Sequence, residues 1–235
     1  MKMKNCNLSD KKKKLKKALV SALKVAFKEM VIIGDHYKEE NLRYVVMSKI
    51  SEVNCFGNFP NLDDKGPHLC FDNYYKYEGL KKDSELRPDI VSLIKTPKGT
   101  GYSVNSLLSV ELKQKGKISG NSKNKGVRHI DLKDKINKLG SCIESDIIKS
   151  RIYLTKKDTF TFEISVVIHL VDKINPDELV QLNRMLNRQR KELVESKGGT
   201  NKNLLFAWFN PSPSMKKPEL IWLNQTDEIK LGGVE

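Results

Sequence analysis

Two helical patterns open the chain. Apolar residues recur at three- and four-residue spacing between Leu15 and Met30, which predicts an amphipathic helix over residues 10–32. Gly34 follows at a position that suits the end of that helix. A second, weaker stripe predicts another helix over residues 39–53.

Strand patterns follow the two helices. The aromatic, alternating segment 71–80 predicts one strand, and the apolar runs 88–94 and 107–113 predict two more. The segment TPKGTG, residues 96–101, predicts the turn between the second and third strands. These three strands are therefore expected to form an antiparallel meander.

The second half of the chain alternates helical and apolar patterns. The predicted elements are a helix over 130–144, strands over 147–155 and 160–171, a helix over 176–196, and strands over 204–209 and 219–223. No linker or internal repeat is visible, so the prediction is one α/β domain over residues 1–235. Its core spans about 39–171, preceded by the basic helix 10–32 and followed by the C-terminal helix and strands of 176–223.

Charge narrows the class of partner. Lysine and arginine number 43 against 29 acidic residues, a formal net charge of +14, and lysine dominates. A lysine-rich composition is also typical of AT-rich genomes, but the excess favours a polyanion: nucleic acid first, an anionic membrane surface second. The scattered cysteines and the lack of a long apolar segment or signal sequence predict a cytoplasmic protein outside the membrane. No Walker-type loop occurs, so no nucleotide cofactor is expected.

Acidic residues occur beside two of the predicted strands. Asp89 follows Pro88 at the start of one, and Glu111 lies near the end of the next, with Lys113 two residues later. If the strands form a hairpin, Asp89 lies opposite Glu111, and Lys113 shares the face of Glu111. Two adjacent carboxylates favour a cation between them, and Mg²⁺ typically takes one or two protein carboxylates with water and phosphate.

The motif Pro88-Asp89, twenty-one residues, then Glu111-Leu112-Lys113 resembles that of the PD-(D/E)xK nuclease superfamily. The resemblance implies a restriction-endonuclease-like core: a helix, a three-strand meander, a helix and a strand in a mixed sheet flanked by helices. It also implies that Asp89 and Glu111 bind Mg²⁺, with Mn²⁺ as a substitute. Lys113 would then act on the attacking water or the transition state.

Members of this superfamily often add a glutamate from the first core helix. Glu40 is the candidate here, with Glu78 and Glu85 as competitors. The tripeptide (D/E)xK is common in so lysine-rich a chain, and only the copy at Glu111 follows an apolar strand. This context favours a catalytic motif at Glu111 over the alternative, in which the acids lie on an exposed hairpin and pair with lysines.

Other residues are assigned to contacts with nucleic acid or to the core. The predicted DNA-contacting residues are Lys115, Lys117, Lys123, Lys125 and Arg128. The arginine-bearing helix segment 184–191 is a second candidate, and either segment is equally consistent with a solvated surface. His169, inside an apolar strand, is predicted to be a hydrogen-bonded core histidine.

The resulting expectation is a Mg²⁺-dependent endodeoxyribonuclease, by analogy a restriction enzyme or another defence or repair nuclease. A homodimer is expected if it cuts both strands of duplex DNA. Two alternatives stay open: a basic nucleic-acid-binding protein without hydrolytic activity, and a nuclease of the same fold that acts on RNA.

Overall fold

The computed structural model describes residues 8–33, 38–51, 67–71, 88–98, 101–114, 118, 142–155, 164–170, 175–196, 198–209 and 217–231. Its helices and strands in chain order are α1 Leu8–Ile33, α2 Glu39–Ser51, β1 Pro67–Phe71, β2 Ile90–Lys98, β3 Gly101–Gln114, α3 Ile143–Thr155, β4 Ile164–Leu170, α4 Pro176–Val194, β5 Asn203–Phe209 and β6 Glu219–Trp222.

The six strands form one mixed sheet in the order in which they occur along the chain. Strands β1, β2 and β3 are an antiparallel meander, β3, β4 and β5 run parallel, and β6 is antiparallel to β5. Parallel neighbours need a crossover connection, and α3 and α4 lie in the two crossovers. The two crossovers, from β3 to β4 and from β4 to β5, step in the same direction across the sheet. With the same handedness they place both helices on one face of the sheet.

Helices cover both faces of this sheet. On one face α1 and α2 pack with Val110 and Leu112 of β3 and the matching residues of β4 and β5. On the other face α3 and α4 pack with Val167 and Phe206. The sheet between two helical layers confirms the predicted α/β class, and burial on both faces explains why β4 and β5 are mostly apolar.

Within the described ranges, no helix combines the length and apolar character needed to cross a bilayer. Even α1, with 26 residues, interrupts its apolar positions with lysines on its outer face. Its buried stripe is directed at the sheet instead.

The β2–β3 hairpin sets the geometry that matters for function. Ile90 lies opposite Val110, and the antiparallel ladder continues to Lys98 opposite Gly101 with one irregularity between Ser92 and Leu93. Extended one residue beyond Ile90, this register brings Asp89 opposite Glu111. Both strands extend beyond the predicted ranges, so the predicted turn at 96–101 is mostly strand.

One predicted strand is wrong. Residues 147–155 belong to the helix α3, which runs from Ile143 to Thr155. This helix is buried between the sheet and α4, and nearly all of its side chains are inaccessible to solvent. Because this short helix is buried all round, its polar residues are not confined to a solvent face, and periodicity alone does not separate its sequence from that of a buried strand.

The remaining boundaries differ less. The first strand of the meander lies at Pro67–Phe71, before the predicted 71–80. The rest of that predicted segment, and most of the predicted helix 130–144, lie outside the described residues. The helices α1, α2 and α4 match their predicted positions to within a few residues.

The start of α4 offers a test of local stability. Asn175 Oδ1 accepts a hydrogen bond from the Glu178 N–H at 2.8 Å, and Glu178 Oε2 accepts one from the Asn175 N–H at 3.0 Å. We expect Asn175→Ala to lower the free energy of unfolding by about 1 kcal/mol, because the Glu178 N–H loses its side-chain acceptor. Asn175→Ser, which can still cap the helix, should retain most of the stability. Urea unfolding of both variants measures this, and an equal loss in both would contradict the capping role.

Candidate active site

Residues from four elements meet near the C-terminal end of β3. Glu111 and Lys113 lie two residues apart on β3 and therefore share one face of the sheet. Because Tyr153 of α3 contacts Glu111, that face is the one covered by α3. Asp89 lies just before β2, and Arg43 of α2 reaches it from the opposite side of the sheet.

Asp89 is fixed by two different donors. Its Oδ2 accepts a hydrogen bond from the Leu112 backbone N–H at 2.6 Å, and its Oδ1 accepts one from Arg43 Nη2 at 3.0 Å. The first bond attaches the residue to β3 beside Glu111, and the second compensates its charge. With 20% of its side chain exposed, Asp89 retains access to solvent.

Glu111 is the most perturbed acid of the group. It is only 5% exposed, and its Oε1 accepts a hydrogen bond from the Tyr153 hydroxyl at 2.8 Å. Burial raises the pKa of Glu111 to about 8, opposed by the Lys149 ammonium and reinforced by the carboxylates of Asp146 and Asp89. The same burial, together with the charge of Glu111, raises the pKa of the Tyr153 hydroxyl well above its usual value, so Tyr153 stays a donor.

The helix α3 contributes three polar residues that the sequence analysis missed. Asp146, Lys149 and Tyr153 are spaced so that they lie on one side of the helix. Lys149 Nζ and Asp146 Oδ1 are 3.2 Å apart, and the Asp146 side chain is 4% exposed. Burial raises the pKa of Asp146. Burial alone would lower the pKa of Lys149, but the carboxylates of Glu111 and Asp146 hold it above its usual value.

His169 lies beside Lys113 in the sheet. The parallel β3–β4 register pairs these two residues, and His169 is completely buried. Within the described part of the chain neither ring nitrogen has a hydrogen-bond partner. Burial, with a smaller contribution from the Lys113 charge, lowers the pKa of His169 to about 3, so the ring is neutral. The predicted core position is confirmed, but the structure shows no hydrogen bond for it.

Of the other predicted site residues, the structure describes Glu40 and the arginines of α4. Glu40 is exposed on α2, whereas Arg43 of the same helix contacts Asp89 and lies 3.6 Å from Glu39. On α4, Arg188 Nη2 binds Glu144 at 2.6 Å, and Arg190 binds backbone carbonyls. The predicted residues that lie outside the described ranges are Glu78, Glu85, Lys115, Lys117, Lys123, Lys125 and Arg128.

The donor set suits a hard divalent cation. Asp146 Oδ2 is buried without a hydrogen-bond partner among the described residues, and its carboxylate reinforces the raised pKa of Glu111. Added positive charge would relieve this crowding of acids. In the ranges that the structure describes, no three His, Cys, Asp or Glu side chains form a metal-binding group. Mg²⁺ commonly uses only one or two protein carboxylates, so Asp89 and Glu111 fit it.

Comparisons of the chain with protein-family models, with curated proteins and with solved structures find no match. The resemblance to PD-(D/E)xK nucleases therefore depends on the Asp89, Glu111 and Lys113 motif and on the order of the helices and strands. Functional conclusions depend on the geometry around those residues.

The buried Glu111 carboxyl predicts a pH-dependent stability. Because its pKa is raised from 4.5 to about 8, the folded state binds the proton more tightly and stability is lost as pH rises through that range. We expect Glu111→Gln to remove this loss and to raise the free energy of unfolding above pH 8 by a few kcal/mol at most. Urea unfolding over pH in metal-free buffer measures it. The same pH dependence in the wild type and in Glu111→Gln would contradict the assignment. Glu40→Gln, on the exposed face of α2, serves as the matched control.

His169 predicts the opposite slope at acidic pH. Its pKa falls from 6.5 to about 3 on folding, so the unfolded state binds a proton that the folded state does not, and stability is lost as pH falls below 6.5. We expect His169→Phe to flatten this acidic arm, since phenylalanine does not titrate. The measurement is the urea midpoint across the same pH range. An unchanged acidic arm would show that His169 is not the residue responsible.

Proposed function

We propose that this chain is a metal-dependent endodeoxyribonuclease whose active site is Asp89, Glu111 and Lys113. One observation carries the proposal. The antiparallel register brings Asp89 opposite Glu111, and Lys113 lies on the face of Glu111. Carboxylates that converge beside an ammonium are an arrangement suited to phosphodiester hydrolysis.

We propose a restriction-endonuclease-like core for the same chain. The support is the order of elements: α2, the meander β1–β2–β3, the crossover helix α3, and β4 parallel to β3. In this proposal α1 precedes the core, and α4, β5 and β6 extend it. The active site then lies where the meander meets the crossover helix.

Each acid has a neighbour that fixes its orientation. The Leu112 N–H and Arg43 hold both oxygens of Asp89, while Tyr153 holds Oε1 of Glu111. Asp89 and Glu111 would hold Mg²⁺, which when bound lowers the pKa of a coordinated water and polarises the phosphate. Since the donors are already in place, little reorganisation of the acids is needed during the reaction.

Two lysines supply positive charge on the α3 side. Lys113 is partly exposed at the end of β3, where its ammonium can bind a phosphate oxygen and stabilise the charge that develops on phosphorus. Lys149 is more enclosed and is paired with Asp146. We assign Lys113 to the substrate and Lys149 to the positioning of the acidic cluster.

The net charge supports a nucleic-acid substrate. An excess of positive charge of +14 attracts a polyanion without selecting its sequence. Within this class, a restriction enzyme or another defence or repair nuclease is our proposed role, and a homodimer is the form expected to cut both strands. The choice of DNA over RNA is tested directly below.

The proposed chemistry predicts separable losses of activity. We expect the wild-type protein to nick or linearise plasmid DNA with Mg²⁺, and Asp89→Asn and Lys113→Met to lower the rate by at least about a hundredfold. Both substitutions preserve side-chain size, and equal thermal unfolding would show that the fold is retained. Glu40→Gln is the matched control: it removes an exposed acid of α2 and should leave the rate within about twofold if Glu40 is not a metal ligand.

Two outcomes would contradict this assignment. Equal DNA breakdown by wild type, Asp89→Asn and Lys113→Met would remove the site. Binding without cleavage of any DNA or RNA substrate, with Mg²⁺ or Mn²⁺, would favour a basic binding protein instead. Cleavage restricted to RNA would retain the site and change the substrate.

A further inference from the structure

The positive charge of the chain is concentrated on α1. This helix carries eight lysines and two acids in 26 residues. Its inner face, which includes Leu15, Leu19 and Leu23, is completely buried against the sheet and α2. The exposed lysines, Lys13, Lys14, Lys17, Lys24 and Lys28, are therefore displayed on the outer surface of one helical layer.

Four of these lysines form a line that we call the α1 lysine stripe: Lys13, Lys17, Lys24 and Lys28. Their spacings of four, seven and four residues place them on one helical face, and all four are exposed. The stripe is roughly 20 Å long at the rise of an α-helix. No acidic residue occurs between Lys13 and Lys28, and in the described part of the chain none of the four belongs to an ion pair.

This arrangement opposes the stability of the isolated helix. Like charges four residues apart repel each other, as in the pairs Lys13–Lys17 and Lys24–Lys28. Lysines in the first turns also face the positive end of the helix dipole. A bound polyanion would reverse both effects, whereas a merely solvated face gains nothing from such a regular spacing.

The N-terminal part of α1 contacts the sheet. Lys16 donates a hydrogen bond to Asn203 at the start of β5 and lies 4.6 Å from the Trp222 ring centroid. The β3–β4–β5 register aligns Asn203 with Leu108, three residues before Glu111. At its other end α1 leads to α2, whose Arg43 contacts Asp89.

A groove adjoins the stripe at Lys17. Its volume is about 450 Å³, and its lining residues are Lys16, Lys17, Val20, Trp222, Asn224 and Gln225. Arg190 anchors the far wall by donating to the backbone carbonyls of Gln225 and Thr226. Two amide side chains, two ammonium groups and an apolar wall suit the sugar and phosphate of a nucleic-acid strand.

We infer that the α1 lysine stripe is a nucleic-acid backbone-binding surface. The inference rests on the proposed function only for the class of ligand. Its independent support is the charge complementarity between the lysines and a polyanion, the spacing of the lysines, and the position of α1. Contacts of this kind give affinity that falls with salt and that does not depend on sequence.

Charge-matched variants test the inference without requiring cleavage. The stripe variant is Lys13→Gln, Lys17→Gln, Lys24→Gln and Lys28→Gln, and the control is Lys38→Gln, Lys202→Gln, Lys217→Gln and Lys230→Gln, four cations outside α1 and outside the segment 184–191. Binding of a fluorescent DNA duplex is measured over a salt series in EDTA. We expect the stripe variant to bind at least about tenfold more weakly, with the slope of log K against log salt smaller by about three to four. The control should change the slope by less than about one.

Three outcomes would overturn the inference. Equal salt slopes in the stripe and control variants would show that only net charge matters. No DNA binding by the wild type, or stripe-dependent binding to anionic lipid vesicles in its place, would assign the surface to another partner. The nuclease proposal can fail independently of this inference. If the wild type binds DNA through the stripe but cleaves nothing, the inference stands and the nuclease proposal is wrong.

Discussion

The hydrogen bond from the Leu112 N–H to Asp89 links the two strands on which the candidate site depends. It is 2.6 Å long and attaches a residue at the start of β2 to the end of β3. A register shift of one residue would turn Glu111 and Lys113 toward α1 and α2 and leave Asp89 beside a different side chain. The apolar alternation of β3, with Val110 and Leu112 on the other face, opposes such a shift because it would bury charges in the core. Packing and chemistry therefore select the same register.

Bringing acidic side chains close together costs electrostatic free energy, and this cost determines which residues surround them. Asp89, Glu111 and Asp146 each have a cation or a strong donor nearby: Arg43, Tyr153 and Lys149 respectively. The compensation is incomplete, since burial still raises the pKa of Glu111 to about 8. In a purely structural ion-pair network, the cations would be expected to compensate the charge of the acids more fully. An acid whose charged form is disfavoured in this way would be stabilised as a carboxylate by a bound cation.

Particular residues show how much of this could be predicted from sequence. The apolar periodicity of α1 and the apolar runs beside Asp89 and Glu111 are local patterns. They correctly predicted the helix and the position of the two acids opposite each other. The role of α3 could not be predicted in the same way, because a helix buried all round resembles a strand, and Asp146 and Lys149 were missed with it. Arg43 could not be identified either, since its contact with Asp89 joins residues 46 apart in the chain. Local chemistry is readable from spacing, whereas partners brought together by tertiary packing are not.

Buried and exposed charge would serve different tasks in the proposed nuclease. The buried acids are held by donors from β3, α2 and α3, so their geometry is fixed before any ligand binds. The lysines of α1 are exposed and weakly constrained, which suits contacts that must tolerate any sequence. The two groups meet through α2, whose inner residues share a core with α1 and whose Arg43 touches Asp89. Because the four lysines of the α1 lysine stripe take no part in the hydrogen bonds that hold the buried acids in the described part of the chain, substitutions on the outer face of α1 can change affinity without changing the geometry of the acids.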